Sequence, residues 1–248
     1  MTSTRDSAWK PMIYGHRGAR GLAPENTLPG FAIADHFGLP ANELDVHLTR
    51  DGHVVVIHDH TVDRTTDGTG RVEEMLLSEI KTLNAAVEWP KYGFIPIPTL
   101  DEVLAKYGRR FIWQIEMKVD DRTDVETLIP ATMDVIRKHG DLKDYYLTSF
   151  SADAVEMTIE LAPDIERGII SGSVGMGSVD IGIRLDCGMI CLNEKLLEPD
   201  VVAAVRETRM NLCGWQGNTP AELERQMAAR VDGFSSDRPD RVLEWLRD

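Results

Sequence analysis

The feature of this chain that most constrains its fold is a regular alternation of short apolar runs with longer amphipathic stretches. Eight runs have the length and apolar content of β-strands: Met12–Gly15, Glu43–Leu48, Phe111–Met117, Tyr145–Phe150, Arg167–Ser171, Met189–Leu192, Met210–Trp215 and Gly233–Ser236. Eight stretches predict helices: Asn26–Phe37, Leu100–Tyr107, Val125–His139, Ala152–Leu161, Val179–Leu185, Pro199–Thr208, Pro220–Ala229 and Arg241–Leu246. Such alternation produces parallel strands with right-handed crossovers, and eight repeats in about 250 residues favour an α/β TIM (β/α)8 barrel.

One segment interrupts the alternation directly after the second predicted strand. Asp51-Gly52 stands between two extended runs, which is a strong hairpin signal, so an extra strand is expected to fold back and carry His58 to the barrel mouth. Residues 60–98 are then expected to form a small insertion at the mouth, where long excursions are usually functional. The sequence therefore predicts one domain over residues 11–248, preceded by a flexible tail at residues 1–10.

Helix starts carry recognisable caps. Asn26 is expected to accept hydrogen bonds from the first turn of its helix. Thr99 with Glu102 predicts a capping box, and Thr219 followed by Pro220 predicts a capped helix with proline at its first position.

Charge and cysteine content limit the kinds of partner. The formal net charge of −14 repels nucleic acid and anionic membrane surfaces, whereas a small phosphodiester is acceptable if its site supplies cations. Three cysteines without a C-x-x-C pair predict free thiols in a reducing compartment. Since we find no signal-peptide pattern and no run of about 18 apolar residues, we expect a cytoplasmic protein without stable membrane association. A homo-oligomer is compatible with these features.

Acidic residues recur two positions apart on predicted strands. Glu43 and Asp45 share one face of the second strand, and inward-pointing acids are costly in a barrel unless they bind something; an outward, solvated pair is the alternative. Glu116 and Lys118 repeat this spacing at the carboxyl end of a buried strand, where barrels place catalytic groups. Three carboxylates suit a hard divalent cation, Mg²⁺ or Ca²⁺.

Two histidines follow strand ends and are candidates for proton transfer. His16 ends the first strand and precedes Arg17, whose planar fork suits phosphate oxygens; His58 ends the hairpin strand. One histidine can accept a proton from the nucleophile while the other gives a proton to the leaving oxygen. The remaining histidines are interpreted as structural: His36, His47, His53, His60 and His139.

These segments together resemble the glycerophosphodiester phosphodiesterase family. The matching pieces are Gly15-His16-Arg17-Gly18, Ala23-Pro24-Glu25-Asn26-Thr27, Glu43-Leu44-Asp45, Thr49-Arg50-Asp51-Gly52, Val56-Ile57-His58-Asp59, Arg64-Thr65-Thr66, Glu116-Met117-Lys118 and Ser236-Asp237-Arg238-Pro239. The resemblance implies a (β/α)8 barrel that hydrolyses glycerophosphodiesters to glycerol 3-phosphate and an alcohol. It implies this site: one divalent cation on Glu43, Asp45 and Glu116; an acid–base pair of His16 and His58; substrate or phosphate contacts from Arg17, Lys118, Phe150 and Trp215.

Alternatives stay open at this stage. The substrate could be a lysophospholipid, cleaved in the manner of a phospholipase D, or the barrel could be a non-catalytic binding relic of the family. The attacking oxygen could be water or the neighbouring glycerol hydroxyl, which would give a cyclic phosphate first. The residues choose neither the acid and the base within the histidine pair nor the alcohol group of the substrate.

Overall fold

Eight parallel strands close on themselves in the part of the chain that the structure, a computed structural model, describes: residues 9–247. The strands are β1 Met12–Gly15, β2 Ala41–Leu48, β3 Val54–Val56, β4 Ile112–Met117, β5 Tyr145–Ser149, β6 Glu166–Ser171, β7 Met189–Asn193, β8 Asn211–Trp215 and β9 Gly233–Ser236. Their order is β1-β9-β8-β7-β6-β5-β4-β2-β3, and pairing of β1 with β2 closes the barrel. The predicted (β/α)8 fold is confirmed. Most of the predicted tail, residues 1–8, lies outside the described residues.

Helices cover the outside of the barrel, except for the short helix at Leu77–Ile80, which lies in the insertion. They are α1 Leu28–His36, α2 Leu77–Ile80, α3 Leu100–Tyr107, α4 Val125–His139, α5 Ala152–Leu161, α6 Met176–Arg184, α7 Pro199–Arg206, α8 Pro220–Ala228 and α9 Pro239–Trp245. Short 3₁₀ turns span Val72–Glu74, Pro90–Tyr92, Leu142–Asp144 and Glu194–Leu196. Among residues 9–247, no helix combines the length and the apolar character needed to span a membrane.

The helix caps are confirmed at two of the three predicted positions. Thr99 and Thr219 both form capping boxes with the glutamate three residues later. The prediction at α1 is wrong, because Thr27 is the cap there and its side chain accepts from Gly30 N. Asn26 instead has a φ of 55° and donates from Nδ2 to Asp45 Oδ2 at 2.8 Å. Its amide therefore serves a buried carboxylate rather than the helix start.

The extra strand β3 covers an edge that barrel closure leaves open. Strand β1 pairs only with the first two residues of β2, at Tyr14↔Ala41 and Gly15↔Asn42. The second half of β2 therefore has a free edge, and β3 pairs with it in antiparallel register from Leu48↔Val54 onwards. The predicted hairpin is confirmed. The strand ends at Val56, earlier than predicted, so His58 lies in the loop that follows.

The two faces of the barrel wall differ in chemistry. On β4, Trp113 and Ile115 point outwards into the apolar core beneath the helices, where Phe31 and Phe111 each meet the Trp113 ring edge-on at 5.5 Å. The alternate residues Gln114 and Glu116 line a cavity on the barrel interior.

The insertion has a small hydrophobic cluster of its own. Val62, Val72, Ile80 and Ile97 are all buried, and they pack with Ile57 next to β3. The segment between β3 and α3 is thereby fixed against β3, beside the loop that carries His58.

Candidate active site

A cavity of about 180 Å³ opens where the barrel strands end. The residues that line it come from seven strands, from the loops that follow barrel strands and from the loop after β3. They are Tyr14, His16, Arg17, Glu43, His58, Gln114, Glu116, Lys118, Phe150, Ile170, Cys191, Cys213, Gly214, Trp215, Gln216 and Ser235. This set contains every predicted site residue except Asp45, which lies fully buried beneath the cavity. The predicted residues are thus brought together, and their roles stay predictions.

Three buried carboxylates form the base of the site. Glu43 and Asp45 come from β2 and Glu116 from β4, with Asp45 and Glu116 in direct register between the strands. Each offers an oxygen within 4.8 Å of the others. Asp45 Oδ1 is buried and has no hydrogen-bond partner among the described residues. A buried carboxylate oxygen that accepts no hydrogen bond and three converging oxygen donors fit a hard divalent cation.

Electrostatics support the same conclusion. Burial, with repulsion from Asp45 and Glu116, raises the pKa of Glu43 well above its ordinary value. Burial and the nearby Asp45 raise the pKa of Glu116 to about 7. Burial opposes ionisation of Asp45 as well, but Arg17 and Lys118 outweigh it and lower the pKa of Asp45. The protein's own cations therefore satisfy one carboxylate, and a bound cation would let the other two ionise.

A second group of potential ligands lies near the insertion and is already satisfied. His60, Glu73 and Asp120 also converge within 4.8 Å. Arg71 donates to Glu73 at 2.7 and 3.0 Å and to Asp120 at 2.5 Å, so a protein cation already occupies both carboxylates. The group beneath the cavity is the better cation site.

Arg17 and Lys118 hold the carboxylates and face the cavity. Arg17 Nη1 donates to Glu25 Oε1 at 2.9 Å, and Arg17 Nε lies 3.3 Å from Asp45 Oδ2. Lys118 Nζ donates to Glu116 and lies 3.6 Å from Asp45 Oδ1. Both cations therefore stand at the cavity floor, where an anionic phosphate would meet them.

His16 forms a pair with a carboxylate at the end of the last strand. Its Nδ1 lies 2.5 Å from Asp237 Oδ1. Burial opposes ionisation of Asp237, but the hydrogen bond to His16 and nearby cations lower its pKa, so Asp237 is the acceptor and Nδ1 carries the proton. Nε2 then points to the other side, 3.8 Å from Glu43 Oε2. Burial lowers the pKa of His16, which leaves a neutral imidazole with a basic Nε2.

His58 forms a matching pair with its own neighbour in sequence. Its Nδ1 lies 2.6 Å from Asp59 Oδ1, and its Nε2 lies 3.2 Å from Lys118 Nζ. Burial lowers the pKa of His58, as do Arg17 and Lys118, against the attraction of Asp45. Because the Lys118 ammonium can only donate, Nε2 accepts from it, and His58 is neutral in this arrangement.

Sequence reasoning missed the carboxylates behind both histidines. Asp237 follows β9 directly, and a polar residue just past a barrel strand would have been the signal for it. Asn218 Nδ2 donates to Asp237 Oδ2 at 2.9 Å and so fixes this carboxylate. Asp59 lies in a segment that resembles the family, but the resemblance assigns it no catalytic role.

His47, interpreted as structural, supports the main chain of the second pair. It is buried on β2, and its Nε2 lies 3.1 Å from the carbonyl oxygen of His58. Burial lowers the pKa of His47 to about 4, so it is neutral near pH 7 and donates its Nε2–H to that carbonyl.

Two aromatic rings form one wall of the cavity. Phe150 and Trp215 meet edge-on with centroids 5.8 Å apart, and Lys118 Nζ lies 5.6 Å from the centre of the Phe150 ring. Phe150 is 49% exposed, which leaves much of its ring open at the rim. The wall offers apolar contact beside the cations that would bind a phosphate.

Comparisons with known proteins identify the family of this chain. Residues 16–241 match the Glycerophosphoryl diester phosphodiesterase family. A glycerophosphodiester phosphodiesterase of Caldanaerobacter subterraneus subsp. tengcongensis is 32% identical over 243 residues, which cover 96% of this chain and 98% of that protein.

Solved structures with the same fold include two at 27% identity or above. A phosphodiesterase of Oleispira antarctica, in complex with the product sn-glycerol-3-phosphate, superimposes with a TM-score of 0.88 at 27% identity and covers 96% of this chain and 97% of its own. A glycerophosphodiester phosphodiesterase of Agrobacterium tumefaciens gives a TM-score of 0.81 at 30% identity, over 93% of this chain and 98% of its own.

Proposed function

This chain belongs to the glycerophosphoryl diester phosphodiesterase family and hydrolyses glycerophosphodiesters to glycerol 3-phosphate and an alcohol, and from that premise we propose which residues carry the reaction. The observation that supports the proposal is the pair of histidine–aspartate contacts at one cavity. The His16–Asp237 pair stands beside Glu43, and the His58–Asp59 pair stands beside Lys118. A phosphodiester bound between them would have one proton-transfer group beside the attacking oxygen and the other beside the leaving ester oxygen.

Glu43, Asp45 and Glu116 would hold one divalent cation, either Mg²⁺ or Ca²⁺. Their convergence within 4.8 Å, the Asp45 oxygen that accepts no hydrogen bond from the described residues and the raised pKa values of the two glutamates all fit such an ion. When bound, the cation supplies positive charge that offsets the phosphate and favours attack at phosphorus. Arg17 and Lys118 would bind and orient the phosphate oxygens from the same floor.

His16 and His58 would divide the two proton transfers. Each imidazole donates Nδ1–H to an ionised aspartate, so each presents Nε2 to the cavity as the working nitrogen. The neutral member takes a proton from the attacking hydroxyl, whether from water or from the substrate's glycerol. The other member becomes protonated because the bound phosphate anion stabilises an imidazolium, and it gives its proton to the leaving alkoxide. Their aspartates keep both rings oriented and stabilise the imidazolium in turn.

The direct test is release of glycerol 3-phosphate from glycerophosphocholine, -ethanolamine, -glycerol and -inositol, with and without chelator. Chelated enzyme should lose activity and recover it with Mg²⁺ or Ca²⁺. His16→Ala and His58→Ala should each lower kcat by about 10²–10⁴-fold while the melting temperature changes little. Full activity in excess chelator would remove the cation from the proposal. A near-normal rate for either histidine variant would remove that residue.

A parallel assay decides the substrate class. Choline release from lysophosphatidylcholine, measured beside glycerol 3-phosphate release from glycerophosphocholine, separates a lysophospholipid-cleaving enzyme from the proposed one. We expect the glycerophosphodiester to be preferred, because the cavity of about 180 Å³ is small for an acyl chain and places Arg17, Lys118 and both histidines in its lining.

We also propose that the enzyme works in the reducing cytoplasm. Cys191 and Cys213 are register partners on β7 and β8, and both are buried free thiols, as is Cys187. Adjacent thiols persist in a reducing compartment, where disulfides are rare. Fractionation of cells that express the tagged chain tests this location.

A further inference from the structure

A series of ion pairs with alternating charges connects the insertion to the carboxylates at the base of the active site. Arg64, within the insertion, donates to Asp59 through Nε at 2.7 Å and through Nη2 at 3.0 Å. The same guanidinium donates to Glu25 through Nη1 at 3.0 Å and Nη2 at 2.7 Å. Glu25 accepts in turn from Arg17, which pairs with Asp45. One arginine therefore joins the partner of His58 to the groups around the proposed cation site.

The loop that carries His58 depends on such contacts for its position. Strand β3 ends at Val56, so neither His58 nor Asp59 belongs to a helix or strand that would fix its side chain. The His58 main chain is tied to β2 through His47. The orientation of the ring, by contrast, is set by Asp59 at Nδ1, and Asp59 is about one third exposed. Two contacts from one rigid guanidinium fork hold the Asp59 carboxylate in place.

We propose that Arg64 is a positioning residue for catalysis: it fixes Asp59, and through Asp59 the imidazole of His58, so that the insertion determines the alignment of that histidine. The inference rests on the proposed acid–base function of His58. Arg64 lies outside the set of described residues that line the active-site cavity, so its contribution comes through Asp59 and Glu25 rather than through the substrate. Between those two carboxylates it also removes a repulsion that would otherwise separate them.

The energetics distinguish this function from a general stabilising one. Arg64 is 44% exposed and Asp59 30% exposed, and partly exposed ion pairs contribute little to the free energy of unfolding. Glu25 is only 14% exposed, but it keeps its hydrogen bond from Arg17 when Arg64 is replaced. Misplacement of a catalytic group by about 1 Å, however, can lower the rate on the order of 10²-fold. Loss of Arg64 should therefore be visible in kcat and nearly invisible in thermal stability.

The experiment measures kcat, KM and melting temperature for wild type, Arg64→Ala and Arg64→Lys with glycerophosphocholine and saturating Mg²⁺ or Ca²⁺. We expect Arg64→Ala to lower kcat about 10- to 10²-fold with KM changed by less than about threefold. Arg64→Lys keeps the charge but loses the fork, and its kcat should fall between the other two. Arg71→Ala is the matched control, because it removes a doubly paired arginine of the same insertion that is bound to Glu73 and Asp120.

A double-mutant cycle tests the route of the effect. If Arg64 acts through Asp59, Arg64→Ala should cost far less in an Asp59→Asn background than in wild type. An equal cost in both backgrounds would overturn the inference, as would a wild-type kcat for Arg64→Ala or an equal loss in Arg71→Ala. His58→Ala in the same assay separates the two levels: an unimpaired His58→Ala enzyme refutes the proposed function of His58 itself, whereas an impaired His58→Ala enzyme beside a normal Arg64→Ala enzyme refutes only the positioning function.

Discussion

Burial of the His47 imidazole makes the stability of the folded protein depend on pH, and one substitution can isolate this contribution. Its pKa is about 4 in the folded protein and 6.5 when exposed, so the folded state binds fewer protons than the unfolded state between these values. The contribution of neutral His47 to the free energy of unfolding is therefore fully present above pH 6.5 and is lost as the pH falls towards 4. At pH 5 the loss amounts to about 2 kcal/mol of unfolding free energy relative to pH 7.5.

The variant His47→Gln removes the titration and keeps an N–H donor for the His58 carbonyl. Chemical denaturation of both proteins at pH 7.5 and pH 5 gives four unfolding free energies. The loss on acidification should be larger in wild type by about 2 kcal/mol. Other groups, including Glu43 and Glu116, titrate in both proteins, and their contributions cancel in this difference. Equal losses would show that His47 is not held neutral by burial, and the argument would fail.

Three further predictions concern the site. Glu116→Gln should abolish both activity and the rise in melting temperature that Mg²⁺ or Ca²⁺ gives wild type, since one of three proposed ligands is lost; an undiminished thermal shift would contradict this. Asp237→Asn should lower kcat on the order of 10²-fold or more, because the amide no longer enforces the proton on Nδ1 of His16, and a steady-state rate near that of wild type would count against the pair. Phe150→Ala should raise KM while kcat changes little, because the exposed ring contacts substrate rather than reacting atoms; a selective fall in kcat would argue otherwise.

The barrel and its acidic site could be predicted because their signals are local. Helices α3, α4 and α5 and strands β1 and β9 begin and end where the apolar pattern predicts, and the other predicted elements have a boundary that differs by one to three residues. Glu43 and Asp45 share the interior face because alternate residues of a strand point the same way. Glu116 joins them through the β2–β4 register. The side-chain alternation of a strand and the pairing of neighbouring strands are therefore enough to bring the three carboxylates together.

The missed contacts depend on closure of the barrel or on the path of the insertion. His16 and Asp237 are 221 residues apart and meet only because β9 returns to pair with β1. Arg64 reaches Glu25 across 39 residues through an insertion without a periodic pattern to place it. The cap of α1 could not be placed from the sequence, because Asn26 and its neighbour Thr27 are both residue types that suit an N-cap, and the structure uses Thr27.

The two histidine pairs differ in what holds their carboxylates. Asp237 is fixed by groups at the ends of barrel strands: it follows β9, its main-chain N–H donates to Asn218 Oδ1, and Arg20 from the loop after β1 pairs with it at 3.0 Å. Its side chain is 14% exposed. Asp59 is fixed by Arg64, and both of these side chains are more exposed. The barrel therefore determines the geometry at His16, whereas the insertion determines it at His58. Sequence changes in the insertion should therefore affect one proton-transfer group, while the other group stays as the barrel sets it.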